Sequence, residues 1–324
     1  MHCPLVLVLF NRPQTTARVF AAIAEARPPK LLVVADGPRP DRPGEAAQCA
    51  AARAVVGRVD WDCEVLLNFA EQNLGLKQRM VSGLTWAFEQ VPEAIILEDD
   101  CVPDPTFFQF CEVLLDRYRD DERVMALCGD NCLFGQVTTP YSYFFHRVIG
   151  VWGWATWRRA WQHYDVRMAD WGALRDTPWL SDLLQDRRAA AAWRQLFDDT
   201  WKGNPHIWSY QWVFAIWRHN GVGVTPRLNL VSNVGFGAEA VHTNSPDSLL
   251  NSIPARALAF PLDDPPKLVT DREADWLIME NSFYAQNPWL GKPPSLRQRV
   301  RRVVPRPIRR LRTYVLNRVA GRAR

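Results

Sequence analysis

Three consecutive carboxylates, Glu98, Asp99 and Asp100, follow an apolar run at residues 94–97. Such a run is typical of a buried parallel strand, and ligands of open α/β sheets bind where these strands end. Neighbouring carboxylates repel one another unless a cation lies among them, and oxygen ligands suit Mn²⁺ or Mg²⁺. The sequence therefore predicts a hard divalent cation at a strand end, where it would hold a diphosphate leaving group. A solvated acidic turn is the alternative.

Polar side chains also follow the first two predicted strands. Arg12 follows the first strand, and the paired N–H donors of its guanidinium group suit a phosphate. Asp36 follows the second strand, where its carboxylate can accept a hydrogen bond from a base or a ribose. Capping of a loop is the alternative for either residue. The chain has neither GxGxxG after the first strand nor a Walker lysine motif, so we expect a nucleotide held by side chains and a metal ion.

Apolar runs and helical patterns alternate through the first 132 residues and would position these polar groups. The predicted strands are residues 4–10, 31–35, 64–67, 95–97 and 124–128. The predicted helices are residues 14–26, 44–56, 77–90 and 106–118. Because the connections are short, the pattern predicts an α/β fold with a mostly parallel, doubly wound sheet.

The chain becomes rich in tryptophan after about residue 135, and 11 of its 15 tryptophans lie within residues 151–217. Most tryptophans in a helical region belong to the core. Helical patterns span residues 155–163, 189–201 and 211–219, and strand signals follow at 221–225 and 229–231. Residues 260–268 indicate a linker, and residues 273–284 a short helix.

Length and cysteine content narrow the class of protein. A chain of 324 residues can bury a large core in one domain or two lobes. No apolar run is long enough for a membrane helix, and the N-terminus leads directly into a strand without room for a signal peptide. The seven cysteines form no CxxC pair and are odd in number, so we expect reduced thiols and a cytoplasmic location.

The C-terminal tail, residues 295–324, holds 11 arginines and no acidic residue. Apolar residues recur there at three- and four-residue steps, a pattern typical of a basic amphipathic segment on an anionic membrane surface. A disordered basic end and a helix docked on the acidic body are the alternatives. The body has no recognisable nucleic-acid module, so we expect no nucleic-acid partner.

Residues 6–12, 34–37 and 95–100, together with the Pro-x-Phe-Phe that begins at Pro105, resemble the GT-A glycosyltransferases. The chain is similar in particular to N-acetylglucosaminyltransferase I and to bacterial family-2-like sugar transferases of surface polysaccharide loci, over roughly residues 4–245. The resemblance implies the GT-A (nucleotide-diphospho-sugar transferase) fold with a helical acceptor-side half. It also implies a nucleotide-diphosphate sugar donor, most simply a UDP-sugar, and an inverting transfer to a glycan or lipid-linked acceptor.

The resemblance also implies roles for single residues. Asp100 would bind the metal, Asp36 would read the nucleobase, and Arg12 would lie beside the nucleotide. Trp152 and Trp154 would belong to a glycine-containing aromatic loop over the donor sugar. The donor-binding set is then Arg12, Asp36, Glu98, Asp99, Trp152 and Trp154.

The general base is the residue for which this sequence departs from the family pattern. An inverting transferase needs a group that deprotonates the acceptor hydroxyl. The resemblance places an Asp just after Trp208, where this chain has Ser209. Glu239 and His242 are the candidate bases, since a carboxylate is usual in this chemistry and an imidazole titrates near neutral pH. A structural role is the alternative for each.

The sequence thus predicts a metal-dependent glycosyltransferase of the hexosyl- or N-acetylhexosaminyltransferase type, acting in surface polysaccharide synthesis at the inner face of a membrane. A non-catalytic sugar- or nucleotide-binding protein and a sugar nucleotidyltransferase are the alternatives. The expected organisation is a nucleotide-sugar-binding half (1–135), an acceptor-side half of the same catalytic domain (136–259), a linker and short helix (260–294), and the basic tail (295–324).

Overall fold

A computed structural model describes residues 1–291 except residues 138, 205–206, 236–248, 286 and 288. The strands are β1 (Leu5–Leu9), β2 (Lys30–Ala35), β3 (Glu64–Phe69), β4 (Glu93–Glu98), β5 (Cys101–Pro103), β6 (Val124–Cys128), β7 (Tyr143–His146), β8 (Trp154–Trp157), β9 (Val222–Pro226) and β10 (Val231–Asn233). The helices are α1 (Pro13–Ala26), α2 (Glu45–Val55), α3 (Leu76–Gln90), α4 (Pro105–Arg117), α5 (Arg158–Trp161), α6 (Trp171–Leu174), α7 (Trp179–Leu184), α8 (Arg187–Trp201), α9 (Ser209–Arg218) and α10 (Arg272–Ile278). A π-helical segment, Met279–Tyr284, continues α10.

Eight strands form one sheet in the order β3-β2-β1-β4-β8-β6-β9-β7. Strands β3, β2, β1 and β4 are parallel, and β6 and β9 run in the same direction. Strands β8 and β7 are antiparallel to their neighbours. The prediction of an α/β fold with a mostly parallel sheet is therefore confirmed.

Both faces of this sheet are buried, which explains why its central strands are apolar throughout. All five residues of β1 are buried, and alternate side chains enter two separate hydrophobic clusters. Leu5, Leu7 and Leu9 pack with α1, α2 and α4. Val6 and Val8 pack in the cluster that also holds α3, α8 and α9. The sheet is thus doubly wound, as the alternation of strands and helices predicts.

The structure corrects the prediction of a helix over residues 155–163. Residues Trp154–Trp157 form β8, which inserts between β4 and β6, and only α5 is helical in that stretch. Strand β7 was not predicted either. Each of these strands has only four residues and all are buried, so a short apolar run there fits a helix or a strand equally well.

Tryptophans of the second half pack mainly on one another. Trp154 stacks on Trp208 with ring centroids 5.7 Å apart, and Trp212 lies 5.9 Å from Trp154 and 5.3 Å from Trp161. These rings fill the cluster on the face of α3, α8 and α9. Their aromatic packing fixes α9 against the sheet, so α9 can serve as a rigid wall of a binding site.

Strands from both predicted halves share the main sheet, and the division into segments stays a prediction. The linker at 260–268 lies among the described residues without helix or strand, and the basic tail lies outside the described residues. Within the described part of the chain, no helix has the length and apolar character needed to cross a membrane.

Candidate active site

A cavity of about 1260 Å³ lies where the parallel strands end. Its floor includes residues that follow β1, β2, β4 and β6, and its far wall is formed by α8, α9 and the π-helical segment. The ends of parallel strands meet at one sheet edge, so groups distant in sequence converge there. The predicted residues that line this cavity are Arg12, Asp36, Glu98, Asp99, Asp100 and Trp152.

The acidic triplet lies at the end of β4, and each of its carboxylates faces a different environment. Asp99 is buried and accepts a hydrogen bond from the Phe10 backbone N–H at 3.0 Å. The Asp100 carboxylate forms an ion pair with the Arg12 guanidinium at 2.9 Å. Glu98 is the last residue of β4 and is partly exposed in the cavity. The backbone after Asp100 turns immediately into β5, which pairs with β10 and holds the triplet in place.

Electrostatics indicate that the triplet carries more negative charge than its surroundings neutralise. Desolvation, together with the charges of Asp100 and Asp99, raises the pKa of Glu98. Desolvation and the charge of Asp100 likewise raise the pKa of Asp99, although Arg12 acts in the opposite direction. A cation among these oxygens would offset the free-energy cost of burying their negative charges.

These residues fit a hard divalent cation. Within the described ranges, no three His, Cys, Asp or Glu side chains form a complete ligand set. Mg²⁺, however, commonly binds through one or two carboxylates, water and the phosphates of a substrate. Gly235 approaches Asp100 so closely that a Cβ there would collide with its carboxylate. The absence of a side chain at Gly235 permits this close approach of the backbone, and Asp100 is the residue that would hold the ion.

Asp36 has a structural task of the kind that loop capping, the alternative given by the sequence, describes. Its Oδ1 accepts from the backbone N–H groups of Gly37 and Leu74, at 2.8 and 2.9 Å. Its Oδ2 accepts from Asn73 Nδ2 and the Gly75 N–H, at 3.0 and 3.1 Å. A carboxylate offers about four acceptor positions, and all four are in use. A base that donates to Asp36 would therefore have to displace one of these donors.

The sequence analysis did not identify a further charged pair, Glu45 and Arg39, which lies close to Asn11 in the cavity wall. Glu45, the first residue of α2, is buried and forms an ion pair with Arg39. Asn11 Nδ2 donates to the same carboxylate at 3.0 Å. The Arg39 guanidinium also lies 5.7 Å from the Phe10 ring centroid. The only sequence signal was an acidic residue in the first turn of a predicted helix, which is common.

Trp152 and Trp154 lie in different places although they are two residues apart. Trp152 lines the cavity. Trp154, which the resemblance places over the donor sugar, is 1% exposed and packs in the core on Trp208. Trp152 precedes β8, and Gly153 between the two residues has a positive φ of 64°, so the regular strand geometry does not extend to Trp152. Ser209 also lines the cavity, as the first residue of α9.

The two candidate bases, Glu239 and His242, lie outside the described residues. Within the described part of the chain, the cavity offers another carboxylate that the sequence analysis left unassigned. Asp130 follows β6 and lines the cavity, and its Oδ1 is buried without a hydrogen-bond partner. Burial raises the pKa of Asp130 to about 7.

No family model and no curated protein matches this chain. Solved structures that are similar in part include mouse xyloside xylosyltransferase 1 in its apo form, with 12% identity, a TM-score of 0.32, and coverage of 66% of this chain and 81% of that chain. The galactosyltransferase LgtC with donor and acceptor sugar analogs has 9% identity, a TM-score of 0.31, and coverage of 53% and 65%. Apo UDP-glucose pyrophosphorylase has 7% identity, a TM-score of 0.36, and coverage of 71% and 93%. These scores are low, so the likenesses support no argument about the function of this chain.

Proposed function

We propose that this chain is a metal-dependent glycosyltransferase on a GT-A fold, which moves a sugar from a nucleotide-diphosphate donor to a hydroxyl acceptor. The observation that carries the proposal is the acidic triplet at the end of β4, joined to Arg12 in a cavity large enough for a donor and an acceptor. Carboxylates with a surplus of buried charge suit a divalent cation, and such a cation suits a diphosphate.

Each group at this strand end would act on the donor in its own way. When bound at Asp100, Mn²⁺ or Mg²⁺ would supply Lewis-acid stabilisation of the charge that develops on the diphosphate. Arg12 would exchange part of its ion pair with Asp100 for a phosphate oxygen. Asp99, fixed by the Phe10 N–H, and Glu98 would accept hydrogen bonds from ribose and sugar hydroxyls. Trp152 would contact the sugar from the opposite wall.

The acceptor would enter on the side of α8 and α9. The resemblance to N-acetylglucosaminyltransferase I and to bacterial surface polysaccharide enzymes favours an inverting transfer, a UDP-sugar donor and a glycan or lipid-linked acceptor. Hexosyl and N-acetylhexosaminyl transfer both fit this proposal. A cytoplasmic enzyme held at the inner face of a membrane by its basic tail would meet lipid-linked acceptors directly.

The decisive experiment measures nucleotide release from a panel of UDP-, GDP- and dTDP-sugars, with Mn²⁺ and with EDTA. Asp100→Asn should lower the Mn²⁺-dependent rate by about 100-fold or more, because the ion stabilises the leaving group by several kcal/mol. Calorimetry should show that Mn²⁺ strengthens UDP binding to the wild type but not to this variant. Asp116→Asn, at an exposed position on α4, is the matched control. Full metal-dependent turnover by Asp100→Asn would contradict the assignment.

Ser209 is the observation that favours the non-catalytic alternative, since it lines the cavity where the family pattern has an Asp. A binding protein would take up UDP-sugars tightly and release nucleotide from none of them, whichever glycan is added. The nucleotidyltransferase alternative is tested in the same series, because it requires release of pyrophosphate from a nucleoside triphosphate and a sugar phosphate.

A further inference from the structure

We propose that Asp130 is the general base that accepts the proton of the acceptor hydroxyl, which Ser209 cannot do. This inference rests on the proposed function. In the main sheet, Trp154 of β8 pairs with Ile96 of β4 on one side and with Cys128 of β6 on the other. Glu98 and Asp130 each lie two residues further along their parallel strands. They therefore stand at the same level of the sheet edge.

The same register gives their separation and their direction. Two strand spacings separate β4 from β6, which places the two backbones about 10 Å apart. The ladder continues past Cys128, since the Gly129 N–H donates to the Gly153 carbonyl at 2.7 Å. Side chains alternate along a strand, so Glu98 and Asp130 project on the face of Ile96 and Cys128, whose cluster also holds α9. Asp130 thus faces the cavity from the acceptor side.

Four of the other carboxylates of the described cavity wall are engaged by protein groups. Asp36 uses all four acceptor positions, and Glu45 is held by Arg39 and Asn11. Asp99 and Asp100 bind the Phe10 N–H and Arg12, and Glu98 adjoins them. Asp199 lies exposed on α8. Only Asp130 combines a place on the acceptor face with a buried carboxylate oxygen that has no partner.

Neighbouring backbone fixes the orientation of the Asp130 carboxylate. A Cβ on Gly150 would collide with it, so the glycine permits the close approach of the next segment. The Trp152 backbone N–H donates to the carboxylate, Oδ1 is buried without a partner, and the residue as a whole is partly exposed where it lines the cavity. The backbone N–H of the next residue, Asn131, donates to Asn229 Oδ1 at 2.9 Å, which fixes the backbone beside Asp130. A base needs this kind of fixed geometry.

In the proposed step the acceptor O–H bond breaks, its proton passes to the Asp130 carboxylate, and the electron pair of the hydroxyl oxygen forms the new bond to the anomeric carbon. The bond from that carbon to the diphosphate oxygen breaks, and the nucleoside diphosphate leaves with the electron pair. Asp130 returns its proton to water after the product departs. The raised pKa of Asp130 suits a base that works near neutral pH.

The test uses the full chain, Mn²⁺, and whichever donor of the panel releases nucleotide fastest, with water as the acceptor. Asp130→Asn should lower kcat by about 10²- to 10⁴-fold. Its affinity for UDP with Mn²⁺, measured by calorimetry, should change less than threefold, which also shows that the variant is folded. Asp130→Glu should recover part of the rate, and Asp116→Asn should match the wild type.

The rival positions are tested by Glu239→Gln, His242→Asn and Asp199→Asn. Loss of turnover in one of these, with Asp130→Asn active, would overturn the inference and leave the proposed function intact. An equal loss of UDP binding and of rate in Asp130→Asn would make the residue structural and would also overturn it. A wild type that releases nucleotide from no donor in the panel would overturn the proposed function itself, and the inference with it.

Discussion

Asp130 illustrates how a residue poised for chemistry lowers the stability of the fold. Its carboxylate is removed from water without a compensating cation, and burial raises its pKa to about 7, compared with 3.8 in an exposed chain. Between these two pH values the folded state binds a proton that the unfolded chain does not. The free energy of unfolding therefore increases as the pH falls from about 7 towards 4, and above pH 7 the buried charge is destabilising.

Asp130→Asn should consequently stabilise the protein at pH 8. We expect the free energy of unfolding at pH 8 to increase by roughly 2 kcal/mol. This is about half of what the full pKa shift would give, because the residue is partly exposed to the cavity. The gain should disappear at pH 4. Cys128 and Cys132, the nearest titratable groups, have their pKa raised by burial to about 12 and stay neutral throughout this range. Chemical denaturation at the two pH values measures the effect, and a loss of stability at pH 8 would contradict it.

Sequence reasoning reached the acidic triplet because its three residues are contiguous and follow an apolar strand. It assigned no role to Asp130, because the environment of that carboxylate depends on Gly150 and Trp152, which approach from a segment twenty residues later. Asp36 shows the reverse case. Its type and position allowed either a ligand contact or the capping of a loop, and four donors from its own chain occupy its carboxylate.

At the scale of elements, the contact between α3 and β2 links packing to the site. Gly83 of α3 lies directly on Val34 of β2, and a Cβ there would collide with the Val34 side chain. The N-terminus of the same helix follows the loop that Asp36 holds at the cavity wall. Any displacement of α3 from the sheet would therefore disturb the cavity wall around Asp36.

Gly83→Ala should lower the free energy of unfolding by about 1–3 kcal/mol, as overpacking of a dense core does. Because α3 shifts as a unit, UDP affinity should fall as well. Gly57→Ala is the matched control, since a Cβ at that position meets no atom within 4 Å. Denaturation curves and calorimetry on both variants give the comparison. If Gly83→Ala and Gly57→Ala are equally stable, α3 accommodates the added methyl group without loss of stability and the prediction is wrong.

Strands β1, β2 and β4 were predictable because they are continuous apolar runs between helices. Strands β7 and β8 were not, because four buried residues rich in aromatic side chains carry no periodicity that separates a strand from a helix. Their partners are set by the tertiary fold. Tertiary context, and not local preference, decides such short segments.

At the scale of the whole molecule, charge is divided unevenly along the chain. The complete sequence has a net charge of +4, although its last 30 residues alone contain 11 arginines and no acid. The rest of the chain is therefore net acidic. An anionic surface would repel the body and attract the tail, which would orient the molecule on a membrane.

A chain ending at residue 294 should lose binding to phosphatidylglycerol vesicles and keep its rate of nucleotide release. Sedimentation with these vesicles, compared with neutral phosphatidylcholine vesicles and with high salt, measures the effect. The full chain should bind only the anionic vesicles, and salt should release it. Equal binding of the full and shortened chains would show that the tail is not the contact.

The insertion of β8 between β4 and β6 has a consequence for synthesis on the ribosome. Until residues 154–157 have emerged, β4 has one unpaired edge, and β6 has no neighbour that links it to β1. The nascent N-terminal part therefore exposes a sheet edge of the kind that associates with other chains. Completion of the sheet must wait for the tryptophan-rich part, so the part of the cavity formed by β1, β2 and β4 cannot be transplanted as an independent module.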